Sequence, residues 1–231
     1  LLDFLEKETM EYRGKELAVH PAVKTGALVG LERHARYGVE QRYADRLTEA
    51  MLKVINEEEH PEEISADVHQ WMKVQAVAVL VQQFKAAPNA KLQDTLNALI
   101  AGDKFDLDDR CYVSKMMDFP AYEKAQDINA DETLQALAKL SQDVLEAEAK
   151  EAKEFENARR GASDGVSARP GGRLGLGGGR GGDDDSPKFK RQRLLSRLRA
   201  IQEAADSVVK GLPEETKTKV EALVDAMKDL R

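Results

Sequence analysis

Six cations crowd one short stretch of this chain: Lys188, Lys190, Arg191, Arg193, Arg197 and Arg199. On a helix they form a cationic face beside an apolar one, suited to an acidic partner, a nucleic acid or an anionic membrane surface. The competing use is internal: pairing with the acidic body of the same chain, or simple solvation. From Arg159 to Arg199, 11 basic residues stand against 4 acidic ones, a local charge of +7. The whole chain carries −7, so the remainder holds −14. That balance argues against nucleic-acid binding by the protein as a whole and separates an acidic body from a basic segment.

Other residues capable of chemistry lack the spacing it requires. The histidines His20, His34, His60 and His69 form no His-Glu-x-x-His pair and none joins a cysteine at zinc-ligand spacing. Asp103, Asp106, Asp108 and Asp109 crowd one loop. They lack the alternating ligands, central glycine and final glutamate of a calcium loop, and read as a solvated acidic turn that starts a helix. Glu57-Glu58-Glu59 with Glu62-Glu63 reads as an exposed loop. The glycine run at 171–182 has no strand before it, and no Gly-Lys-Ser or Gly-Lys-Thr occurs, so neither dinucleotide nor P-loop binding fits. Arg173 and Arg180 among those glycines give only a thin RGG-type signal, without interleaved aromatics. The single cysteine, Cys111, excludes an intrachain disulfide and is expected to pack. No nucleophile with a positioned base can be picked out. An enzyme would require His34, His69 and a carboxylate to meet in one pocket. No metal and no cofactor are expected.

The elements that position these residues are helical. With 42% apolar, 33% charged and only 5% aromatic residues, 231 residues make one or two well-solvated helical domains. No window approaches the roughly 18 apolar residues of a membrane span. The chain starts at Leu1 without methionine and so reads as a fragment or processed product. An upstream signal or anchor stays open, and the compartment is cytoplasmic only by default.

A first helix is expected from Leu1 to about Leu17, ended by His20-Pro21. A second runs to about Tyr37 with Gly38 as its stop, and a third from Val39 to Glu58. A fourth, capped by Ser65 or Asp67, spans about Ala66 to Ala86, and a fifth Lys91 to Ala101. A sixth follows Gly102-Asp103 and ends by Phe119-Pro120. Three of these helices share a pattern. Lys24, Lys73 and Arg110 are each followed three places later by Ala27, Ala76 or Val113, and four further on by Leu31, Leu80 or Met117. The helices before them correspond too: Leu47, Met51 and Ile55 align with Leu92, Leu96 and Ile100 at an offset of 45. Small residues let helices approach, large ones fill the space between units, and the cations are expected to reach acidic groups on a neighbouring turn or repeat.

These motif helices resemble the second helix of HEAT-type repeats, whose pattern is often Pro-x-Val-Arg-x-x-Ala-x-x-x-Leu. His20-Pro21-Ala22-Val23-Lys24-Thr25-Gly26-Ala27 is the nearest match. The second motif enters through Trp71-Met72-Lys73 without the proline, and Asp108-Asp109-Arg110 departs furthest. The resemblance covers residues 1–120 and implies an α-solenoid of about three repeats that presents a binding surface.

Beyond it, a helix from Asn129-Ala130-Asp131 to about Arg160 carries Leu134, Leu137, Leu140, Val144 and Leu145, then turns almost wholly to Ala, Glu and Lys. It is expected to cap the repeats and project as a stalk, with Glu146–Lys150 and Lys150–Glu154 pairs along its length. Residues 161–187 read as a disordered Gly/Arg/Asp linker, and 188–231 as a helical hairpin of two helices, Lys188–Lys210 and Glu214–Leu230. So small a hairpin needs a surface to dock on. The fold class expected is all-α: a HEAT-like helical repeat domain at 1–160, the linker, and the hairpin. The function expected is non-enzymatic protein–protein scaffolding. The alternative is nucleic-acid or anionic-surface binding through residues 188–199.

Overall fold

The computed structural model describes residues 1–59, 62, 64–117, 128–163, 187–210 and 212. Among them the architecture is mostly helical: α1 (Leu2–Glu6), β1 (Thr9–Tyr12), β2 (Lys15–Ala18), α2 (Pro21–Ala35), α3 (Gln41–Asn56), α4 (Ala66–Ala86), α5 (Ala90–Ala101), α6 (Leu107–Met116), α7 (Ala130–Ser163) and α8 (Pro187–Lys210). His60, most of the expected linker and the second hairpin helix at 214–230 lie outside the described residues.

Local chemistry accounts for most helix starts. Pro21 occupies the first turn of α2, where its missing N–H is harmless, and His20 Nδ1 accepts from Ala22 N at 3.1 Å. Ser65, rather than Asp67, caps α4 by accepting from Val68 N. Asn89 caps α5 through Leu92 N at 3.0 Å, and Asp106 caps α6 through Asp109 N at 2.8 Å. After α2 the chain turns through Gly38 at φ 89°, a conformation that glycine adopts without a Cβ clash.

The first helix is shorter than its expected span to Leu17. Its apolar periodicity ends at Leu5, the only buried residue of α1, and the chain leaves the helix after Glu6. It then forms a two-stranded antiparallel hairpin, Thr9 opposite Ala18 and Tyr12 opposite Lys15, around Arg13 (φ 54°) and Gly14 (φ 73°). Two consecutive positive φ angles make the mirror-image turn whose twist matches flanking strands. All eight strand residues except Met10 are exposed.

The helices pack in a ladder. α2 lies against α4, α4 against α6, and α6 against α8, while α1 packs on α3 and α5 on α7. The consecutive pairs α1–α2, α3–α4, α5–α6 and α7–α8 are also in contact. α4 is the centre: His69, Met72, Val74, Ala76 to Val81, Gln83 and Phe84 are all buried. Of the residues aligned in the sequence, Ala27, Ala76, Val113, Leu31, Leu80 and Met117 are buried, as are Leu47, Met51, Ile55, Leu92, Leu96 and Ile100. Polar bridges stitch neighbours within this apolar mass. Gln83 Nε2 donates to Ala44 O at 3.1 Å and to Thr48 Oγ1 at 3.2 Å, joining α4 to α3. Gln93 Nε2 donates to Thr133 Oγ1 at 3.0 Å and joins α5 to α7.

The C-terminal segment shares this core. Leu198, Ala200, Ile201, Ala204, Ala205 and Val208 of α8 belong to the same buried cluster as α4 and α7. Leu195 of the same helix is 40% exposed. The stalk expectation is also revised. Glu148 and Glu151 of α7 face α8, and the pairs Glu146–Lys150 and Lys150–Glu154 do not form. Gln142 instead donates to Glu146 at 2.7 Å.

Ala76 is fully buried in the most enclosed helix, so enlarging it forces neighbours apart. Ala76→Leu is expected to destabilise by roughly 1–3 kcal/mol, a melting temperature lower by about 3–10 °C in a circular-dichroism scan. A variant melting with the parent shows that the helix contacts there are loose.

Candidate partner-binding face

The six basic residues of 188–199 divide between two environments. Arg197 is buried and clamps Asp108 with two bonds, Nε to Oδ1 at 2.7 Å and Nη2 to Oδ2 at 3.0 Å, while its Nη1 donates to Glu148 at 3.3 Å. Arg193 donates to Glu151 Oε2 at 2.7 Å and to Glu148 Oε1 at 3.2 Å. Lys190, half-buried, lies 3.9 Å from Glu151. Arg191 and Arg199 are exposed, and the side chain of Lys188 lies outside the described residues. The spacing of four that lines up Arg193 and Arg197 thus aims them at α6 and α7. They join α8 to the body instead of extending a continuous outward patch.

Charge and burial set the protonation of this junction. The Arg197 guanidinium holds the Asp108 carboxyl below its ordinary range, against partial burial, and Arg193 does the same for Glu151. One helix over, buried Arg110 donates from Nε to Ile100 O at 2.7 Å and from Nη2 to Asp143 Oδ2 at 2.6 Å. Burial opposes the Asp143 charge, but hydrogen bonds from Lys139 and Arg110 outweigh it and lower its pKa. Arg110 therefore reaches the next helix pair, as its motif position suggests. Lys24 and Lys73 make no ion pair among the described residues.

The surface of the α4, α6 and α8 layer carries exposed aromatic rings. Trp71 on α4 is 42% exposed, Tyr112 on α6 55% and Phe189 on α8 38%. Between α4 and α6 lies a cleft of about 390 Å³, with Trp71, Tyr112, Val74 and Ala78 among its walls. Between α6 and α8 lies a second, of about 470 Å³, reaching Phe189, Gln192 and Lys115. Tyr112 lines both and forms the ridge between them.

The α4–α6 cleft is acidic. Asp67, Asp106 and Asp109 line it with no basic side chain, and none of the three forms an ion pair among the described residues. Gln70 Nε2 donates to Asp109 Oδ2 at 2.6 Å. Burial still pushes the Asp109 carboxyl up, with Asp106 and Asp108 adding repulsion. Asp106 serves as the α6 cap, so the acidic turn starts that helix as the sequence suggests. Among the described residues no group of three His, Cys, Asp or Glu side chains is arranged to hold a metal ion.

Among the described residues the histidines do not converge. His20 caps α2, His34 lines a depression with Leu1, Tyr43 and Arg46, and His69 is buried 3.4 Å from Glu57. Cys111 is buried at the α6–α8 junction, where desolvation raises its thiol pKa to about 12. No described helix is long and apolar enough to cross a membrane. The exposed aromatics were not singled out from sequence. Tyr12, Tyr37 and Tyr43 are exposed as well, so exposure alone does not set these three rings apart; their place on one layer of helices does. No protein-family model matches this chain, and no curated protein or solved structure matches it.

Asp108, Asp143 and Glu151 have lowered pKa values when folded, so their contribution to stability is fully present above the ordinary carboxylate range and is lost as pH falls below it, down through the lowered folded values. Melting temperature is expected to fall steeply below about pH 4. Asp108→Asn should flatten that acid limb, as read by circular dichroism across pH 7 to 3. Cys111 should react with Ellman's reagent at least tenfold more slowly in the native protein at pH 8 than in denaturant. Equal rates contradict the buried thiol.

Proposed function

We propose that this protein is a non-enzymatic protein–protein interaction scaffold: a short HEAT-like helical-repeat array that receives a partner on the face formed by α4, α6 and α8. The observation that carries the reading is the run of exposed aromatics, Trp71, Tyr112 and Phe189, one on each of three successive helices of a single layer. About half of each ring's surface is left in water, where it adds nothing to packing. Aromatic side chains are the residues that supply most binding energy when a partner covers them. The row α2, α4, α6 and α8, each helix against the next, agrees with a repeat array, as do the buried small and large residues of the three motifs, although α3 and α5 do not continue the outer row.

Binding of nucleic acid or an anionic surface through residues 188–199 has less behind it. Arg193 and Arg197 are ion-paired within the chain, which leaves Arg191 and Arg199 as the exposed arginines of the cluster.

Photo-crosslinking tests the scaffold reading. Benzoylphenylalanine placed at Tyr112, in protein incubated with extract of its source, is expected to give a discrete protein adduct. The same group at exposed Asp94 on α5 gives none. Trp71→Ser should reduce the Tyr112 adduct at least fivefold. No adduct at Tyr112, or equal adducts at both positions, rejects the assigned face.

A further inference from the structure

The α4–α6 cleft pairs aromatic walls with three carboxylates that no cation answers among the described residues. Each carboxylate sits at the N-terminus of α4 or α6, where the helix dipole favours it. The combination of rings and carboxylates has a chemical complement. Elsewhere on α6 and α7, half-buried Asp143 is answered by Arg110 and half-buried Glu148 by Arg193 and Arg197, and even the exposed Asp108 is held by Arg197. Asp109 is the exception. It is half-buried, its one side-chain partner is the neutral amide of Gln70, and two further carboxylates, Asp67 and Asp106, share its cleft. Helix capping explains Asp106 but not the exposed rings of Trp71 and Tyr112 on either side. A guanidinium or ammonium group seated there gains charge-assisted hydrogen bonds from the carboxylates and cation–π attraction from the rings. Arginine suits it better than lysine, because its planar fork stacks on an aromatic face while donating from its edge. A cleft of about 390 Å³ exceeds the size of one guanidinium, so neighbouring residues of an extended segment enter with it.

We propose that the cleft between α4 and α6 is the specificity pocket of the scaffold and receives an arginine-bearing peptide segment of the partner, held between Trp71 and Tyr112 against Asp109 and Asp106. The proposal rests on the scaffold reading and deepens it.

The chain has one tryptophan, so emission from Trp71 reports on this pocket directly. The probe is a nine-residue peptide of alternating glycine and arginine, titrated into the intact protein and checked by calorimetry. Its control carries citrulline, the neutral isostere, at each arginine. The arginine peptide is expected to shift Trp71 emission saturably, and the citrulline peptide to bind at least tenfold more weakly. Asp106→Asn with Asp109→Asn keeps the α6 cap and the bond from Gln70, and should weaken the arginine peptide at least tenfold. Glu146→Gln with Glu154→Gln removes the same charge from exposed α7 positions and should leave affinity within twofold. Tyr112→Leu should weaken binding at least fivefold, which guards against loss of fold in the double variant. Any of these results overturns the proposal: equal binding of the citrulline peptide, equal loss in both charge-removal pairs, or calorimetric binding without a change in Trp71 emission. Sedimentation showing that the arginine peptide merely dissociates a dimer of this chain also overturns it. A Tyr112 crosslink to a partner without arginine-peptide binding rejects the pocket chemistry alone, whereas failure of both rejects the face.

Discussion

Everything else in this fold leans on α4. From Ala76 to Val81 six consecutive residues are buried, a run that an amphipathic surface helix does not tolerate. Such a helix must be wrapped, and α2, α3, α5 and α6 each take a share of its circumference. The order of the remaining helices follows. Those nearest in sequence cover α4, and α7 and α8 extend the packing outward through α5 and α6.

Arginine supplies a second layer of organisation where apolar burial runs out. Arg46 ties α3 to Asp3 and Glu6 of α1, Arg110 ties α6 to α7, and Arg197 ties α8 to both α6 and α7. Each guanidinium spans two elements because its fork engages a carboxylate bidentately or two acceptors at once. The exposed Arg46 clamp contributes little on its own, being screened by water. The buried guanidiniums of Arg110 and Arg197 matter more for register. A shift of either helix strands a desolvated charge.

How far the sequence discloses this differs by element. The bounds of α4 and α5 are legible from Ser65, Asn89 and the offset of 45, because capping and periodicity are local. The hairpin is not: Arg13-Gly14 lacks the usual asparagine or aspartate, and Met10, Tyr12 and Leu17 alternate too briefly to outweigh a helix begun at Leu2. The inward turn of Arg193 and Arg197 depends on α8 meeting Glu148 and Glu151 at one rotation, which no spacing within α8 specifies. Likewise α4 is apolar almost all round, so its pattern could not say that Trp71 faces water while Met72 does not.

The hairpin shows what the absence of packing means for the chain. Its strands pair only with each other, Glu11 stands directly opposite Glu16, and its apolar residues Tyr12 and Leu17 lie in water. Like charges across a pair weaken it, and an isolated two-stranded ribbon is marginal by itself. Opening free energy thus rises steeply along the chain, from near zero in this arm to the global value in α4. Among the described residues, this hairpin is the segment most open to local fluctuation and the buried run of α4 the least.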